Sequence, residues 1–536
     1  METTIVKAVK DAYLSGQEDE ALLPIVAVDV DGRPVGRMKG DEFVIFYDIR
    51  GEREIELTQT LTEKEFVHFD RKPDNLLHFV TMIEYHSELK AAVAFPPEGR
   101  IKNTLGEVLS KNGIRSLKIA ESEKAVHITY FMNGKNEQPF SGEERIVVPT
   151  PEGLDSYADK PELSAEKVTD ELIKHLPDPS FGLFTVNLAN VDVIGHIENG
   201  EAVCDAVRTV DRQLGRIAEA CRKHHVTLLV TADHGTVEDW LYPDGTVNTG
   251  HTKSPVPFIL EDYSADDAAS LKLRDGGELS DVAPTILDLL HIKKPEEMTG
   301  RSLLVHPPSK NSEKRRICLL ILDGWGIAEK NDGNMICKAG SPHFDEQRRT
   351  FPYTELQAAG EAVGMPEGTV GNSEAGHLHI GSGRRILLDR VKIDRAIADG
   401  SFFRNPVFTQ IMDRAKEEDR ALHLLGIVSF YSSHGTLDHL FALLRMAAER
   451  GLKNVFVHSL IGRRGERPES GSIYVSKVEE MCRELGVGQV VTVMGRYWAL
   501  DREENWELVE KAYRALVYGE GTPAPVEGLI SDMGTF

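Results

Sequence analysis

Short, nearly uninterrupted runs of hydrophobic residues recur along the 536-residue chain, and each is followed by a segment whose apolar positions have helical spacing. Runs such as "EFVIFYDIR", "TLLVTADHG" and "CLLILDGWG" lack the alternation of a half-buried strand, so they are typical of strands buried on both faces. Segments typical of the intervening helices span 269–290 and 438–450. Strands that alternate with helices predict an α/β fold with largely parallel sheets.

Polar side chains cluster where these hydrophobic runs stop. In chain order they are Asn187, Asp192, Asp233, His234, Asp323, His434, Arg464 and Arg496. Because open parallel sheets bind ligands outside the carboxyl ends of their strands, the clustering predicts binding sites there. At any single strand a turn-forming residue explains the polar position equally well. Turn formation does not explain why aspartate and histidine recur together.

Three segments combine aspartate or glycine with histidine. They contain Asp192 with His196, Asp233 with His234, and His251, while Asp323 stands at a further strand end. The first pair is four residues apart, which places both side chains on one face if the segment is helical. Mixed carboxylate and imidazole ligands suit Mn²⁺ or Zn²⁺. Taken singly, each residue also has an ordinary interpretation as a helix cap, a turn residue or a buried histidine.

A candidate nucleophile lies in "GTVGNSEAGHLHIGSGRR", where Ser373 stands among closely spaced glycines. Glycine backbone lets N–H groups approach phosphate oxygens, and a metal ion activates a nearby hydroxyl. An ordinary glycine-rich turn fits this stretch equally well.

Basic residues near strand ends are the candidates for binding an anionic substrate. They are Arg50, Arg53, Lys124, Arg463, Arg464, Arg467, Arg496 and Arg502. Arginine binds carboxylate and phosphate bidentately, and lysine acts on phosphate as a point charge. Solvation at the surface explains several of them, but Arg496, at a strand end in Gly-Arg-Tyr, is the hardest to explain that way.

Charge and cysteine usage narrow the class of partner and compartment. The formal charge of −24 disfavours nucleic acid and anionic membranes as partners, although a pocket can still be locally basic. The N-terminal stretch lacks the apolar core of a secretory signal. Five scattered cysteines without a CxxC motif indicate a reducing compartment, so we expect a cytoplasmic protein.

Motifs along nearly the whole chain resemble those of the cofactor-independent (2,3-bisphosphoglycerate-independent) phosphoglycerate mutases of the alkaline phosphatase superfamily. They include "LLILDGWG", "GEAVGMPEGTVGNSEAGHLHIGSGR", "GRYWALDRE", "NTLGEVLSKNG", "VNLANVDVIGH", "TADHG" and "GHTKSPVPFIL". The resemblance implies an alkaline-phosphatase-like, mostly parallel sheet flanked by helices, together with a second α/β domain that binds substrate. It also implies a monomer.

The motifs stand in a different order from the family's. Those proteins begin at the motif found here as "RRICLLILDGWG" and end near "MTGRSLL", so the chain resembles a circular permutation. Residues 305–315 would then be the linker that joins the ancestral termini. The predicted domains are a substrate-binding domain split between 1–99 and 389–536, and a metal-binding catalytic domain at 100–388. The hinges are expected near 98–102 and 387–393.

The resemblance implies a role for each candidate residue. One of two divalent metal ions would be held by Asp192, His196 and His251, and the other by Asp323, Asp233, His234 and the nucleophile Ser373. Lys124 would stabilise the charge of the transferring phosphoryl group. The phosphorylated acid would be bound by His434, Arg464, Arg496, Arg502, Arg50 and Arg53. Mn²⁺ is the expected metal, with Zn²⁺ and Co²⁺ as alternatives.

The implied reaction is the interconversion of 3-phosphoglycerate and 2-phosphoglycerate through a phosphoserine, without bisphosphoglycerate. Two departures bear on it. Thr436 stands where the family has a second histidine, and Gly465 stands where the family has an aspartate, with Glu466 one residue away. The alternative is therefore a metal-dependent phosphatase or phosphomutase that acts on another small phosphorylated acid. A third hypothesis is a relative that binds a ligand without catalysis.

Overall fold

The computed structural model describes residues 3–71, 77–97, 99–151, 153–154, 156–242, 244–263, 271–308, 315–430, 432, 434–462 and 469–526. The chain forms two compact units. The terminal unit comprises 1–97 and 389–536, and the central unit comprises 98–388. The assignment of substrate binding to the former and catalysis to the latter stays a prediction. Across the described ranges, every helix is too short or too polar to cross a membrane.

The described strands and helices alternate along much of the chain. The strands are β1 (Ile25–Val28), β2 (Phe43–Phe46), β3 (His78–Ile83), β4 (Ala92–Phe95), β5 (Arg115–Glu121), β6 (Glu143–Val148), β7 (Phe181–Leu188), β8 (Thr227–Thr231), β9 (Val256–Glu261), β10 (Gly277–Glu278), β11 (Ile317–Leu322), β12 (Tyr353–Gln357), β13 (Leu422–Ile427), β14 (Val455–Ile461), β15 (Gln489–Gly495) and β16 (Thr522–Pro525). The α-helices are α1 (Thr4–Leu14), α2 (Ile55–Thr62), α3 (Leu105–Lys111), α4 (Ser122–Val126), α5 (Ala165–His175), α6 (Asn190–Gly195), α7 (Gly200–Lys223), α8 (Val282–Leu289), α9 (Met335–Ala339), α10 (Pro342–Thr350), α11 (Ser373–Ser382), α12 (Asp389–Ala398), α13 (Pro406–Glu417), α14 (Leu437–Arg450), α15 (Gly471–Leu485), α16 (Arg496–Ala499) and α17 (Trp506–Tyr513).

The terminal unit is built on one sheet with the strand order β16-β1-β15-β14-β13-β2-β3-β4. Its described neighbours run parallel except β1 and β15. Every residue of β2 and β13 is buried, and Phe43 pairs in register with Leu422. Strands covered on both faces need hydrophobic residues at successive positions, which is the pattern that predicts them.

The central unit has a second sheet with the order β10-β12-β9-β8-β11-β7-β5-β6. Strand β9 is antiparallel to both neighbours, while β8, β11, β7, β5 and β6 are parallel. Ile317 of β11 pairs with Thr227 on one side and Leu183 on the other. The carboxyl ends of β7, β8 and β11 therefore meet at one edge of the sheet. The predicted α/β class, with mostly parallel sheets flanked by helices, is confirmed.

One of the two predicted helices is correct and the other is too long. The segment 438–450 lies in α14, but the prediction over 269–290 is wrong, since its only described α-helix is α8, Val282–Leu289. Gly276 takes a φ of 69°, and Gly277–Glu278 then pairs with β12 as a strand. A left-handed glycine does not fit a helix interior, so the described residues 271–275 do not continue as a helix into α8.

Two predicted features fall partly or wholly outside the described residues. Arg464 lies in the range 463–468, and residues 309–314 cover most of the predicted linker; neither range is described. The chain on each side of 309–314 is fixed to the central unit. Val305 N–H donates to the Lys272 carbonyl at 2.8 Å, and Arg315 Nε donates to Asp262 Oδ2 at 2.9 Å.

Candidate metal centre

Three adjacent parallel strands deliver aspartates to the same edge of the central sheet. Asp323 directly follows β11, Asp233 follows β8 after one residue, and Asp192 lies in α6 just after β7. All three are at least nine-tenths buried. The backbone makes the approach tight: Asp192 N–H donates to the Asp323 carbonyl at 3.1 Å, and Gly324 takes a φ of 80° beside it. A Cβ at position 324 would lie 2.8 Å from Asp192 Cα, so this turn requires glycine.

Asp192, His196 and His251 form one group of potential ligands. Asp192 Oδ1 lies 3.3 Å from His196 Nε2 and 3.2 Å from His251 Nε2, and the two imidazole nitrogens are 3.2 Å apart. The other nitrogen of each ring donates to a backbone carbonyl: His196 Nδ1 to Thr249 at 2.6 Å and His251 Nδ1 to Gly371 at 2.9 Å. These bonds leave both Nε2 atoms with a lone pair, as a metal-binding histidine requires.

A second group surrounds the hydroxyl of Ser373. His234 Nε2 lies 2.9 Å from Ser373 Oγ, and Asp323 Oδ1 lies 3.5 Å from it. His234 Nε2 is also 3.5 Å from Asp233 Oδ2. Ser373 is the first residue of α11, whose Asn372 cap accepts from Ala375 N–H at 2.8 Å. The Gly-Asn-Ser sequence thus starts a helix and holds the hydroxyl among ligand-type residues.

Close packing explains the glycine that stands three residues after Ser373. A Cβ at Gly376 would lie 2.5 Å from the Asp233 carbonyl oxygen. Any side chain there would push α11 away from the end of β8, and with it Ser373 away from Asp233. The glycine at this position therefore serves packing of the helix against the candidate metal centre.

Lys124 links the two groups. Its ammonium lies 2.6 Å from Asp192 Oδ2, 2.7 Å from Asp323 Oδ1 and 2.8 Å from Ser373 Oγ. Burial disfavours its charge, but Asp323 and Asp192 outweigh that effect and raise the pKa of Lys124. Burial opposes ionisation of Asp192 too, and the charge of Lys124 outweighs it, so the pKa of Asp192 lies well below its usual range.

Sequence reasoning missed His377, which lies among the same candidate ligands. Its Nδ1 is 2.8 Å from the Ser373 carbonyl oxygen and 3.3 Å from Asp233 Oδ2, and its Nε2 is 3.1 Å from Asn187 Nδ2. The same Asn187 amide donates to Asp323 Oδ2 at 2.7 Å. The one available signal was its position four residues after Ser373, on the same face of α11.

The donor set fits divalent metal ions. Three buried carboxylates converge with imidazoles whose Nε2 atoms are available, and within the described ranges Lys124 is the one ammonium that reaches them. Asp233 Oδ2 is buried and receives no hydrogen bond from a described residue. His377 Nδ1 lies near this oxygen, but its hydrogen bond goes to the Ser373 carbonyl. Buried carboxylate charge without a matching partner is costly unless a cation neutralises it.

The predicted substrate residues that the structure describes all lie in the terminal unit. Arg464 lies outside the described residues. Arg53 and Arg496 line one cavity of about 820 Å³. Arg496 Nη2 is 2.9 Å from Glu20 Oε1, and Arg53 Nη1 donates to the Leu500 carbonyl at 3.2 Å. Burial lowers the pKa of the His434 imidazole, and the charges of Arg496, Arg50 and Arg53 lower it further.

The remaining two predicted arginines share an acidic partner. Arg50 Nη2 lies 3.1 Å from Glu52 Oε2, and Arg502 Nη1 bonds the other oxygen of Glu52. His434 is bonded through Nδ1 to Glu54. Among described residues, the structure therefore places these predicted basic groups within one region of the terminal unit.

Comparison with known proteins gives two family matches. The model of the "Metalloenzyme superfamily" matches residues 21–294. The model described as "BPG-independent PGAM N-terminus" matches residues 393–532.

Individual relatives match over part of their length. The 2,3-bisphosphoglycerate-independent phosphoglycerate mutase of Thermomicrobium roseum is 44% identical over 307 residues, which are 56% of this chain and 58% of that protein. The enzyme of the same name from Moorella thermoacetica is 41% identical over 300 residues, 56% of this chain and 57% of that protein. The chain thus spans a little over half the length of the curated relatives it matches. A crystal structure of Leishmania mexicana phosphoglycerate mutase at low cobalt concentration is 25% identical, with a TM-score of 0.36 over 52% of this chain and 53% of that one.

Proposed function

The chain belongs to the metalloenzyme superfamily, and from this premise we propose that it is a metal-dependent phosphoglycerate mutase. It would interconvert 3-phosphoglycerate and 2-phosphoglycerate through a phosphoserine, without bisphosphoglycerate. The names of the relatives support this proposal, since those printed for Thermomicrobium roseum and Moorella thermoacetica are both 2,3-bisphosphoglycerate-independent phosphoglycerate mutase.

The observation that carries the proposal is the environment of Ser373. Its hydroxyl lies 2.8 Å from the Lys124 ammonium and 2.9 Å from His234 Nε2, beside the buried carboxylate of Asp323. A serine hydroxyl is a weak nucleophile unless a base, a neighbouring cation or a metal ion lowers its pKa. The ammonium of Lys124 and the imidazole of His234 supply such neighbours, which supports nucleophilic catalysis by Ser373.

Each residue has a definite task in this reaction. Ser373 Oγ attacks phosphorus as the alkoxide that bound metal ions would stabilise, and the second half-reaction restores this alkoxide. As the bond from Oγ to phosphorus forms, the bond from phosphorus to the 3-oxygen of the glycerate breaks and its electron pair stays on that oxygen. Lys124, already at 2.8 Å from Oγ, neutralises charge on the phosphoryl oxygens during transfer. The arginine forks of Arg53 and Arg496 bind the carboxylate and phosphate of the substrate. Glycerate then turns, and its 2-oxygen takes the phosphoryl group from the serine.

We propose two divalent ions, Mn²⁺ first and Zn²⁺ or Co²⁺ as alternatives. One would be held by Asp192, His196 and His251, and the other by Asp233, His234, Asp323 and Ser373. Bound there, such ions would lower the pKa of the serine hydroxyl and polarise the phosphoryl group. The sharing of Asp192 between two clusters of ligand atoms supports a pair of adjacent ions.

We also propose that the order of the chain is a circular permutation of the family's order. The match described as an N-terminus covers 393–532, after the superfamily match at 21–294. The central unit is continuous in sequence, whereas the terminal unit draws on both chain ends. The five cysteines are all free, which supports the expected cytoplasmic location. We further propose that the protein is a monomer and that its substrate is a small phosphorylated acid.

Phosphorus NMR tests the reaction directly. The full chain, loaded with Mn²⁺, is given 3-phosphoglycerate without bisphosphoglycerate, and the S373A variant serves as the control. The proposal predicts growth of the 2-phosphoglycerate signal without inorganic phosphate, and no reaction for S373A. An unreactive wild-type chain, or one whose activity survives S373A, contradicts it.

The same spectrum decides the alternative, a phosphatase or a phosphomutase for another acid. Gly465 and Thr436 favour this alternative because the resemblance implies an aspartate and a histidine at these positions. Release of inorganic phosphate would establish hydrolysis, in which water rather than the glycerate 2-hydroxyl takes the phosphoryl group.

A further inference from the structure

A buried cluster in the terminal unit has two carboxyl groups and one imidazole. Asp48 follows β2, Glu54 immediately precedes α2, and His434 lies between β13 and α14. His434 Nδ1 is 2.5 Å from Glu54 Oε1. Asp48 and Glu54 are fully buried, and His434 is 2% exposed. The cluster is anchored by backbone: Ile427 N–H donates to Asp48 Oδ1 at 2.7 Å, and Ile49 N–H donates to the His434 carbonyl at 2.6 Å.

Burial favours the protonated form of both carboxyl groups in this cluster. Burial raises the pKa of Glu54 to about 8, and burial together with Glu54 raises the pKa of Asp48 well above its usual range. Burial lowers the pKa of His434, and Asp48 opposes that shift. At neutral pH a protonated Glu54 therefore donates to Nδ1 of an uncharged imidazole, and the remaining imidazole proton is on Nε2.

Other charged and titratable groups face the cluster from several elements. Arg50 and Arg53 flank it in the chain, and Arg496 at the start of α16 acts on the same imidazole; all three disfavour charge on His434. Tyr85 donates its hydroxyl proton to the Asp48 carbonyl at 2.8 Å. The Tyr47 hydroxyl donates to the Ile427 carbonyl at 3.3 Å. Burial raises the pKa of both tyrosines well above their usual range, so they stay protonated near neutral pH.

One basic group assigned to substrate is bonded to the cluster: Arg53 donates its backbone N–H to Glu54 Oε2 at 3.0 Å. Arg53 and Arg496, whose charges reach His434, line the cavity of about 820 Å³. Resting on the mutase function proposed above, we propose that His434 exchanges a proton with the hydroxyl oxygens of the bound glycerate. In this proposal Glu54, supported by Asp48, is a positioning residue that fixes the tautomer of His434 and stores its proton.

The proton transfers balance over the two half-reactions. When the bond from phosphorus to the 3-oxygen breaks, that oxygen keeps the electron pair and takes the Nε2 proton of His434. Nδ1 then takes the proton of Glu54, which becomes a carboxylate. In the second half-reaction the 2-hydroxyl gives its proton to Nε2 as its oxygen bonds phosphorus. Nδ1 returns the other proton to Glu54, so no proton is gained or lost.

The chain has Gly465 where the resemblance implies an aspartate, and Glu54 would supply the carboxyl group that is missing there. Glu54 belongs to a different segment, on the N-terminal side of α2. A residue remote in sequence would thus supply an acid group for the substrate hydroxyls.

The variants E54Q and E42Q make a matched pair. Gln at 54 keeps the shape and a hydrogen-bond donor but cannot release a proton. Glu42 is also buried and also bonds a histidine, with His423 Nε2 at 3.0 Å from Glu42 Oε2. It belongs to the core of the same unit and has no place in the proposed reaction. E42Q therefore controls for the loss of a buried carboxyl group.

The first measurement is the tautomer of His434 by long-range proton–nitrogen NMR, which needs no turnover. Loss of one imidazole signal in H434Q assigns it. We expect a neutral ring with its proton on Nε2 in the wild-type chain and in E42Q. A ring with its proton on Nδ1, or a charged ring at pH 7, overturns the arrangement.

The second measurement is the pH profile of kcat and KM with Mn²⁺-loaded enzyme. We expect wild-type kcat for 3-phosphoglycerate to fall as pH rises through the pKa of Glu54, near 8. In E54Q, kcat should drop by about 10²–10³-fold with little change in KM, and the alkaline decline near pH 8 should disappear. E42Q should keep the wild-type profile.

The outcomes separate this inference from the proposed function. If the wild-type chain converts 3-phosphoglycerate and E54Q has the wild-type profile, the proton relay is wrong and the mutase function stands. A wild-type chain that does not convert 3-phosphoglycerate at all overturns the proposed function, and the role of Glu54 with it.

Discussion

Replacement of Lys124 by methionine tests how the carboxylates of the candidate metal centre are neutralised. The ammonium lies 2.6 Å from Asp192 Oδ2 and 2.7 Å from Asp323 Oδ1. The side chains of Lys124 and Asp192 are 5% and 7% exposed, and that of Asp323 is fully buried. Methionine keeps most of the apolar stem and removes the charge, so two buried carboxylates lose a shared partner.

The expected cost follows from the burial of the ion pairs. Removal of one partner from a buried ion pair destabilises a protein by about 3–5 kcal/mol. Asp323 limits this loss because burial and the neighbouring Asp233 already raise its pKa, so it can take up a proton when the ammonium is gone. We therefore expect K124M to lower the unfolding free energy of the metal-free chain by about 3 kcal/mol at pH 7. The loss should be smaller at pH 5, where protonation of the carboxylate replaces the ion pair.

Bound metal should reduce this difference. A divalent cation at a concentration 100 times its Kd stabilises the folded state by about 2.7 kcal/mol. It should bind the K124M variant more tightly than the wild type, because the competing ammonium is absent. The loss of stability caused by K124M should therefore shrink when Mn²⁺ is added.

Lys118 offers a matched control in the same unit. Its side chain is 4% exposed, and its ammonium lies 2.6 Å from Asn133 Oδ1 and 3.5 Å from Glu143 Oε2. Calorimetric unfolding of wild type, K124M and K118M is compared with chelator and with Mn²⁺. K118M should lose similar stability under both conditions. If Mn²⁺ leaves the K124M deficit unchanged, the lysine is a structural ion pair and the reasoning above is refuted.

Three further predictions follow from individual residues. H196N should lower the bound metal by one ion per chain, measured by elemental analysis, because His196 Nε2 is 3.3 Å from Asp192 Oδ1; an unchanged ratio would contradict the ligand assignment. The pKa of Glu54 is raised in the folded state, so its stabilising effect is complete below pH 4.5 and is lost as pH rises through about 8. The unfolding free energy of wild type should thus decline more between pH 5 and 9 than that of E54Q, by up to about 1.4 kcal/mol per unit of pKa shift. G376A should destabilise the chain by about 1–3 kcal/mol and weaken Mn²⁺ binding in calorimetric titration, because its Cβ would overlap the Asp233 carbonyl; unaltered metal affinity would show that α11 can shift without moving the ligands.

The strands and the candidate ligands at their ends were predictable from local sequence. Hydrophobic positions in succession, as in Ile317–Leu322, indicate a strand covered on both faces. Parallel strands bring their carboxyl ends together, so the sequence predicts that Asp323 and Asp233 lie near one another. The convergence of Ser373 with them was not visible in spacing, and it entered through resemblance to a family.

Other features depend on tertiary contacts that no local pattern encodes. An aspartate after a buried strand, such as Asp48, reads as a turn residue, and its full burial follows from the segments packed over it. Glu54 stands at a helix start, where acidic residues are ordinary on electrostatic grounds. Only the fold brings His434, 380 positions away in sequence, to 2.5 Å from it. The overlong helix prediction at 269–290 failed for a related reason, since the pairing of Gly277–Glu278 with β12 is non-local.

The partner of Nδ1 separates two kinds of histidine in this protein. In His196 and His251 the partner is a backbone carbonyl, which only accepts, so Nδ1 must carry the proton and Nε2 has a lone pair for a metal. In His434 the partner is Glu54, whose raised pKa makes it a donor at neutral pH, so the proton is on Nε2. The cluster of Asp48, Glu54 and His434 also has the ligand atoms of a metal site, but burial raises the pKa of Glu54 to about 8, and the protons proposed for Glu54 and Nε2 would take the positions that a cation needs. With the roles proposed above, the same residue types would bind metal in the central unit and transfer protons in the terminal unit, and the tautomer of each ring would decide which.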